Sequence, residues 1–201
     1  MGGETKTAAK SNHVHGYGKL WLAPKDDSPL LIVFGGIPVG GVQSGVYMWT
    51  YMNQLKDRYH IFVATSNHTP GTLAYNAVMS KLGSDDVDVT PSEQILYLFS
   101  GGYNPGMDVL SAKHASTFSQ IFLVDIWMGK KSVGDYYKNL ADTNAAKMTY
   151  VYTTGGANNE KVRDYIADRL GETRSTHVDY RKGEDHMATH MSTNKVAVAD
   201  L

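Results

Sequence analysis

The chain has 201 residues, of which 42% are hydrophobic, 19% charged and 10% aromatic, and 19 basic side chains against 20 acidic ones leave a net charge of −1. That composition is globular, not disordered, and without long charge runs it excludes a built-in attraction to nucleic acid or an anionic membrane. Cysteine is absent, which rules out disulfides, thiol catalysis and cysteine-ligated metals.

A chain of this length suits one domain, which buries about 70% of the surface its unfolded form exposes and needs no covalent staples. The opening MGGETKTAAKSNHVHGYG is polar and lacks the apolar segment of a secretory signal. Residues 1–17 therefore read as a flexible tail, or as a seam where an additional N-terminal domain was once joined, and residues 18–201 as a single domain. No apolar run reaches the roughly 18 residues that span a bilayer. The expectation is a soluble protein, cytoplasmic by default, with its compartment otherwise open.

In chain order, Gly18 to Pro24 reads as a short strand closed by proline, followed by turn chemistry at Lys25-Asp-Asp-Ser-Pro29. Leu30 to Phe34 is apolar throughout and ends in Gly35-Gly36, the pattern of a fully buried strand. Beyond the loop Gly36-Ile-Pro-Val-Gly-Gly41, apolar residues at 47, 48, 51, 52 and 55 predict a helix face. Then strands and helices alternate: strand His60–Ala64, helix Leu73–Leu82, strand Gln94–Phe99, helix Asp108–Thr117 and strand Gln120–Asp125. Strand Met148–Tyr152, helix Asn159–Leu170 and strand Thr176–Tyr180 complete the series. Such alternation predicts an α/β fold, a mostly parallel central sheet with helices on both faces. Ligands of such sheets sit beyond the carboxyl ends of the strands. The chemically suggestive residues all fall there: Gly35-Gly36, Ser66-Asn67-His68, Ser100-Gly101-Gly102, Asp125, Gly155-Gly156 and His186.

One of these ends poses a specific chemical question. The apolar run to Phe99 stops at Ser100 and continues Gly101-Gly102-Tyr-Asn-Pro-Gly106. A serine hydroxyl becomes a nucleophile when a histidine removes its proton and a carboxylate holds that histidine, and the oxyanion it forms needs fixed N–H donors. A strand-to-helix turn with serine at its apex supplies one donor from the next amide, provided its neighbours are small. Read alone, Ser100 also fits an ordinary loop serine before a glycine turn.

With these features together, the chain resembles the α/β-hydrolase family from about Gly18 to Leu201. The family's nucleophile elbow, G-x-S-x-G, corresponds to Leu98-Phe99-Ser100-Gly101-Gly102, with leucine where a small residue is usual. The resemblance implies a three-layer α/β-hydrolase-like sandwich with Ser100 as nucleophile. It implies oxyanion donors at the amides of Ile37 (or Gly36) and Gly101, and a histidine after the last strand. Gly183-Glu-Asp-His186 supplies that histidine, with His190 as fallback. For the acid, the family's G-x-x-D-x-x-V corresponds to Gly156-Ala-Asn-Asn159-Glu160-Lys-Val162, which places asparagine where aspartate is usual. Some lipases take the acid from the strand directly after the elbow, and there Asp125 closes an apolar strand. Asp125 is the favoured acid, with Glu160 or Asn159 as alternatives; it also has the chemistry of a simple helix cap.

The implied activity is that of a serine esterase cleaving a small or polymer-attached carboxylic ester through an acyl-enzyme. An acyltransferase would use the same triad, and a hydrolase-like fold serving only as a binding or structural module is the alternative that Leu98 and Asn159 favour. No cofactor and no metal are expected. The loop from Gly36 to Gly45 contains neither G-x-G-x-x-G nor G-K-[ST]. The pair His186 and His190 has Met187 where H-E-x-x-H requires glutamate.

Overall fold

The computed structural model describes residues 11–14, 16–36, 45, 48–49, 52–126, 131–143, 147–153 and 176–181. Eight strands form one sheet in the order β1-β2-β4-β3-β5-β6-β7-β8. They are β1 (Ser11–Val14), β2 (Gly18–Trp21), β3 (Leu30–Phe34), β4 (His60–Ala64), β5 (Gln94–Phe99), β6 (Gln120–Val124), β7 (Lys147–Thr153) and β8 (Thr176–Arg181). β1 and β2 join the sheet antiparallel, and every pairing from β4 to β8 is parallel. Among the described residues, the α-helices seen in full are α1 (Gly71–Leu82), α2 (Tyr103–Val109) and α3 (Lys131–Thr143). None among the described residues is long and apolar enough to cross a membrane.

The apolar runs behave as their composition dictates. β3, β4 and β6 are buried at every position, because helices cover both faces of a parallel sheet. Alternate side chains feed two cores. Ile32, Phe34, Phe62, Leu96, Leu98, Leu123 and Tyr150 pack with Ala74, Val78, Val133 and Tyr137 from α1 and α3. Leu31, Val33, Ile61, Tyr97, Phe122 and Val151 pack on the other face with Met48, Met52 and Leu55. Each fully buried aliphatic or phenyl side chain contributes about 1.5–3 kcal/mol. Gly45, Met48, Trp49 and Met52 are helical at i, i+3, i+4 and i+7, so one edge of that segment meets the sheet. Trp49 stacks face to face on Trp21 of β2.

Three features differ from the sequence expectation. Ser11–Val14, within the stretch read as a tail, pairs with β2 as an antiparallel edge strand; the turn at Gly16 (φ 73°) makes this hairpin accessible to an otherwise polar segment. The helix expected from Asp108 starts at Tyr103, passes into a π-turn at Leu110–His114 and ends in a 3-10 turn at Ala115–Thr117. Helix α3 was not anticipated, although Val133, Tyr136, Tyr137 and Leu140 mark its buried face. The helix expected at 159–170 lies outside the described residues.

Helix α2 crosses the sheet close above Leu98. A Cβ placed on Gly106 would overlap both methyls of Leu98, so the large residue before the serine turn is accommodated by an absent side chain on the helix. Gly106→Ala should destabilise by about 1–3 kcal/mol through overpacking, despite alanine's better helix propensity. In a Leu98→Ala background the same substitution should cost much less. Denaturant unfolding of the two single variants and the double variant measures the coupling, and additive costs would show that the two sites do not compete for one space.

At the amino edge, His60 is fully buried at the start of β4. Its Nδ1 accepts the Ala23 N–H at 3.1 Å, and its Nε2 lies 3.2 Å from the Asp26 carbonyl oxygen. An accepting Nδ1 puts the proton on Nε2, so both bonds require neutral imidazole. Burial lowers the His60 pKa below its ordinary value, outweighing the opposing effect of the Asp26 carbonyl and the Asp26 and Asp27 carboxylates. The unfolded chain therefore binds this proton first, and stability falls as pH drops through the ordinary histidine range near 6.5. Melting temperature should decline from pH 7 to pH 5, and His60→Gln should flatten that decline; an equal slope in both proteins would show that His60 is not responsible.

Candidate active site

The chain leaves β3 toward β4 on one side and leaves β5 toward β6 on the other. The carboxyl ends of β3 and β5 therefore flank the switch point of the sheet, where an open α/β sheet forms its ligand crevice. β3 ends at Gly35-Gly36 and β5 at Ser100.

Phe99 is extended (φ −114°, ψ 130°), and Ser100 turns to φ 51°. Ser100–Gly102 then form a 3-10 turn that runs straight into α2. The left-handed region costs a residue with a Cβ about 1–2 kcal/mol, and the surrounding packing imposes it here. A Cβ on Gly102 would overlap the Phe34 carbonyl oxygen and come within 3.2 Å of that of Gly35. The turn is thus pressed against the end of β3. Ser100 stays part-exposed while Gly101 and Gly102 are buried. The first N–H groups of a helical stretch have no acceptor in their own helix, and the Gly101 amide is one of these.

On the other side, Phe99 pairs with Val124, so Ser100 and Asp125 are each the first residue beyond paired positions on adjacent strand ends. Asp125 is 1% exposed and has φ 45°. Its N–H donates to the Val151 carbonyl at 2.6 Å, which extends the β6–β7 ladder by one residue. Among the described residues three non-glycines have positive φ: Asp88, Ser100 and Asp125. Two of them are neighbours at the ligand edge. Backbone strain of this kind concentrates at functional sites.

Ser100, Gly101 and Asp125 are therefore brought to one edge, beside Gly35-Gly36. The remaining residues considered for the site, Ile37, Asn159, Glu160, His186 and His190, lie outside the described residues. Of the aromatic residues near the elbow, Tyr137 is fully buried and donates its hydroxyl to the Tyr103 carbonyl at 3.2 Å. Tyr136 reaches the Met107 carbonyl at 3.3 Å. Burial raises the pKa of both hydroxyls, most strongly that of Tyr137, so both remain proton donors. They brace α2 from α3.

The sequence placed Asn67, with Ser66 and His68, among the chemically suggestive strand-end residues. It lies in the turn after β4, where Ser66 N donates to Thr69 Oγ1 and His68 N to Ser66 Oγ. Its side chain is 6% exposed, and Oδ1 is the buried side-chain atom without a hydrogen-bond partner among the described residues. A buried unpaired acceptor is rare in native proteins, but the signal depends on burial, which a polar turn sequence does not reveal.

The sequence matches no protein-family model and no curated protein. Solved structures do match. A cold-adapted esterase from an Arctic intertidal metagenomic library aligns at TM-score 0.64 and 13% identity, over 96% of this chain and 90% of that one. XC6422 from Xanthomonas campestris, a serine hydrolase without a lid, aligns at TM-score 0.62 and 11% identity, over 96% and 95%. LpqC, a poly(3-hydroxybutyrate) depolymerase from Bordetella parapertussis, aligns at TM-score 0.60 and 11% identity, over 97% and 90%. Strand order, switch-point serine turn and near-complete overlap with these structures agree: the chain has the α/β-hydrolase fold.

Proposed function

We propose that the protein is a serine hydrolase cleaving a carboxylic ester through an acyl-enzyme. The observation that carries this reading is Ser100 held at φ 51° on the turn between β5 and α2. Ser100 Oγ attacks the ester carbonyl while His186 accepts its proton. The tetrahedral oxyanion is met by the amides of Gly101 and Ile37 (or Gly36). His186 then protonates the departing alkoxide, leaving the acyl group on Ser100, and water deacylates it by the same steps in reverse order of partner. Asp125, on the adjacent strand end, orients the imidazole and offsets its positive charge. The esterase and depolymerase named above share the fold and so support an ester, small or polymer-attached, as substrate. Gly106 weakens the main objection from sequence, because it makes room for Leu98 at the position where the elbow is usually small.

Ser100→Ala should reduce kcat on a short p-nitrophenyl ester by at least about 10³-fold with unchanged circular dichroism. Ser100→Gly should be equally inactive yet more stable than Ser100→Ala by about 1 kcal/mol, since glycine adopts the left-handed region freely. Asp125→Asn should lower kcat by about 10²–10⁴-fold. Activity retained in Ser100→Ala would remove Ser100 from the mechanism. A folded wild type that takes no fluorophosphonate label would make the protein a binding module on a hydrolase fold.

A further inference from the structure

We infer that Tyr150 is a positioning residue for the acid of this site, holding the turn that aims Asp125; this rests on the ester-hydrolase reading above. The turn after β6 leaves the sheet at a left-handed Asp125, and β7 grips it at two successive residues. Val151 accepts the Asp125 N–H at 2.6 Å. Tyr150 donates its hydroxyl to the Ile126 carbonyl at 3.4 Å. The two bonds bracket Asp125, one at its own amide and the other just past it.

The placement is specific. Tyr150 pairs with Leu123 across the β6–β7 ladder, so its ring leans along the strand to reach a carbonyl three residues further on. Tyr150 and Ile126 are fully buried on the face covered by α1 and α3, whereas Val151 lies in the opposite core. The turn is therefore held by a backbone bond in the plane of the sheet and by a side-chain hydroxyl from the α1/α3 face. A core of this kind has no need of a tyrosine hydroxyl, since phenylalanine fills nearly the same space; here the hydroxyl donates to a buried carbonyl. The carboxylate's direction follows from the backbone at 125. A displacement near 1 Å in a catalytic constellation costs about 10²-fold in rate.

The test compares pH profiles of p-nitrophenyl acetate hydrolysis for the wild type, Tyr150→Phe, Asp125→Asn and the double variant. Tyr75→Phe is the control, because it removes a tyrosine hydroxyl bonded at 3.0 Å to Gln94 at the opposite end of β5. Tyr150→Phe should lower kcat about tenfold with little change in KM. A carboxylate that is poorly aimed supports the imidazolium less. The acid limb of kcat/KM should therefore move to lower pH, by about half a unit. In the Asp125→Asn background the added loss should be less than about twofold, because both substitutions remove the same support. Tyr75→Phe should leave the acid limb in place. Incorporating 4-fluorophenylalanine at 150 fills the hydroxyl's space without donating and should reproduce Tyr150→Phe, including where the smaller phenylalanine impairs folding. An unmoved acid limb with wild-type kcat, or an equal loss in both backgrounds, overturns the role of Tyr150. If Ser100→Ala and Asp125→Asn still lose activity, that result leaves the hydrolase reading standing. If Ser100→Ala retains activity, both fall.

Discussion

The contact between Gly102 and the end of β3 is the constraint on which the site depends. Because nothing larger than hydrogen fits against the Phe34 carbonyl oxygen, α2 can start directly over the sheet, and the chain must turn within Ser100–Gly102 to do so. The turn leaves Ser100 in a backbone conformation that its own Cβ disfavours. The contact also brings the Gly35-Gly36 loop beside the serine. The candidate nucleophile and the candidate oxyanion donors are thus joined by one close packing contact.

The rest of the scaffold fixes α2 in place. Thr72 at the start of α1 donates from its amide to Asp108 Oδ2 at 2.9 Å and from its hydroxyl to the Asp108 carbonyl at 3.1 Å. Tyr136 and Tyr137 of α3 bond to carbonyls of the same helix. Beneath it, Leu98 occupies the space that Gly106 leaves open. The strain at Ser100 is sustained because several independent contacts oppose its relaxation, as expected where a site is built at the expense of local backbone preference.

Asp125 follows a different physical logic. Aspartate tolerates the left-handed region better than most residues, so its turn is less strained. Strand β7 holds that turn with the Val151 carbonyl and the Tyr150 hydroxyl. The two strained residues of the ligand edge are therefore held by opposite neighbours, β3 for the serine and β7 for the aspartate.

Much of the architecture was legible in the sequence, because continuous apolar runs such as Leu30–Phe34 and His60–Ala64 have one stable fate, burial on both faces of a parallel sheet. The serine turn was legible too, since its small residues are a local steric demand written in consecutive positions. Helix α3 and edge strand β1 escaped because their signals are weak locally; a polar segment becomes a strand only when a partner edge is present. The relation of Leu98 to Gly106, the clamp of Tyr150 on Ile126 and the unpaired oxygen of Asn67 could not be read at all. Sequence by itself determined which residues are apolar, small or reactive, and in what order, because those are properties of single side chains and their neighbours in the chain. Only the tertiary structure decided which of them meet, because positions far apart in sequence share space only once the strands are in register.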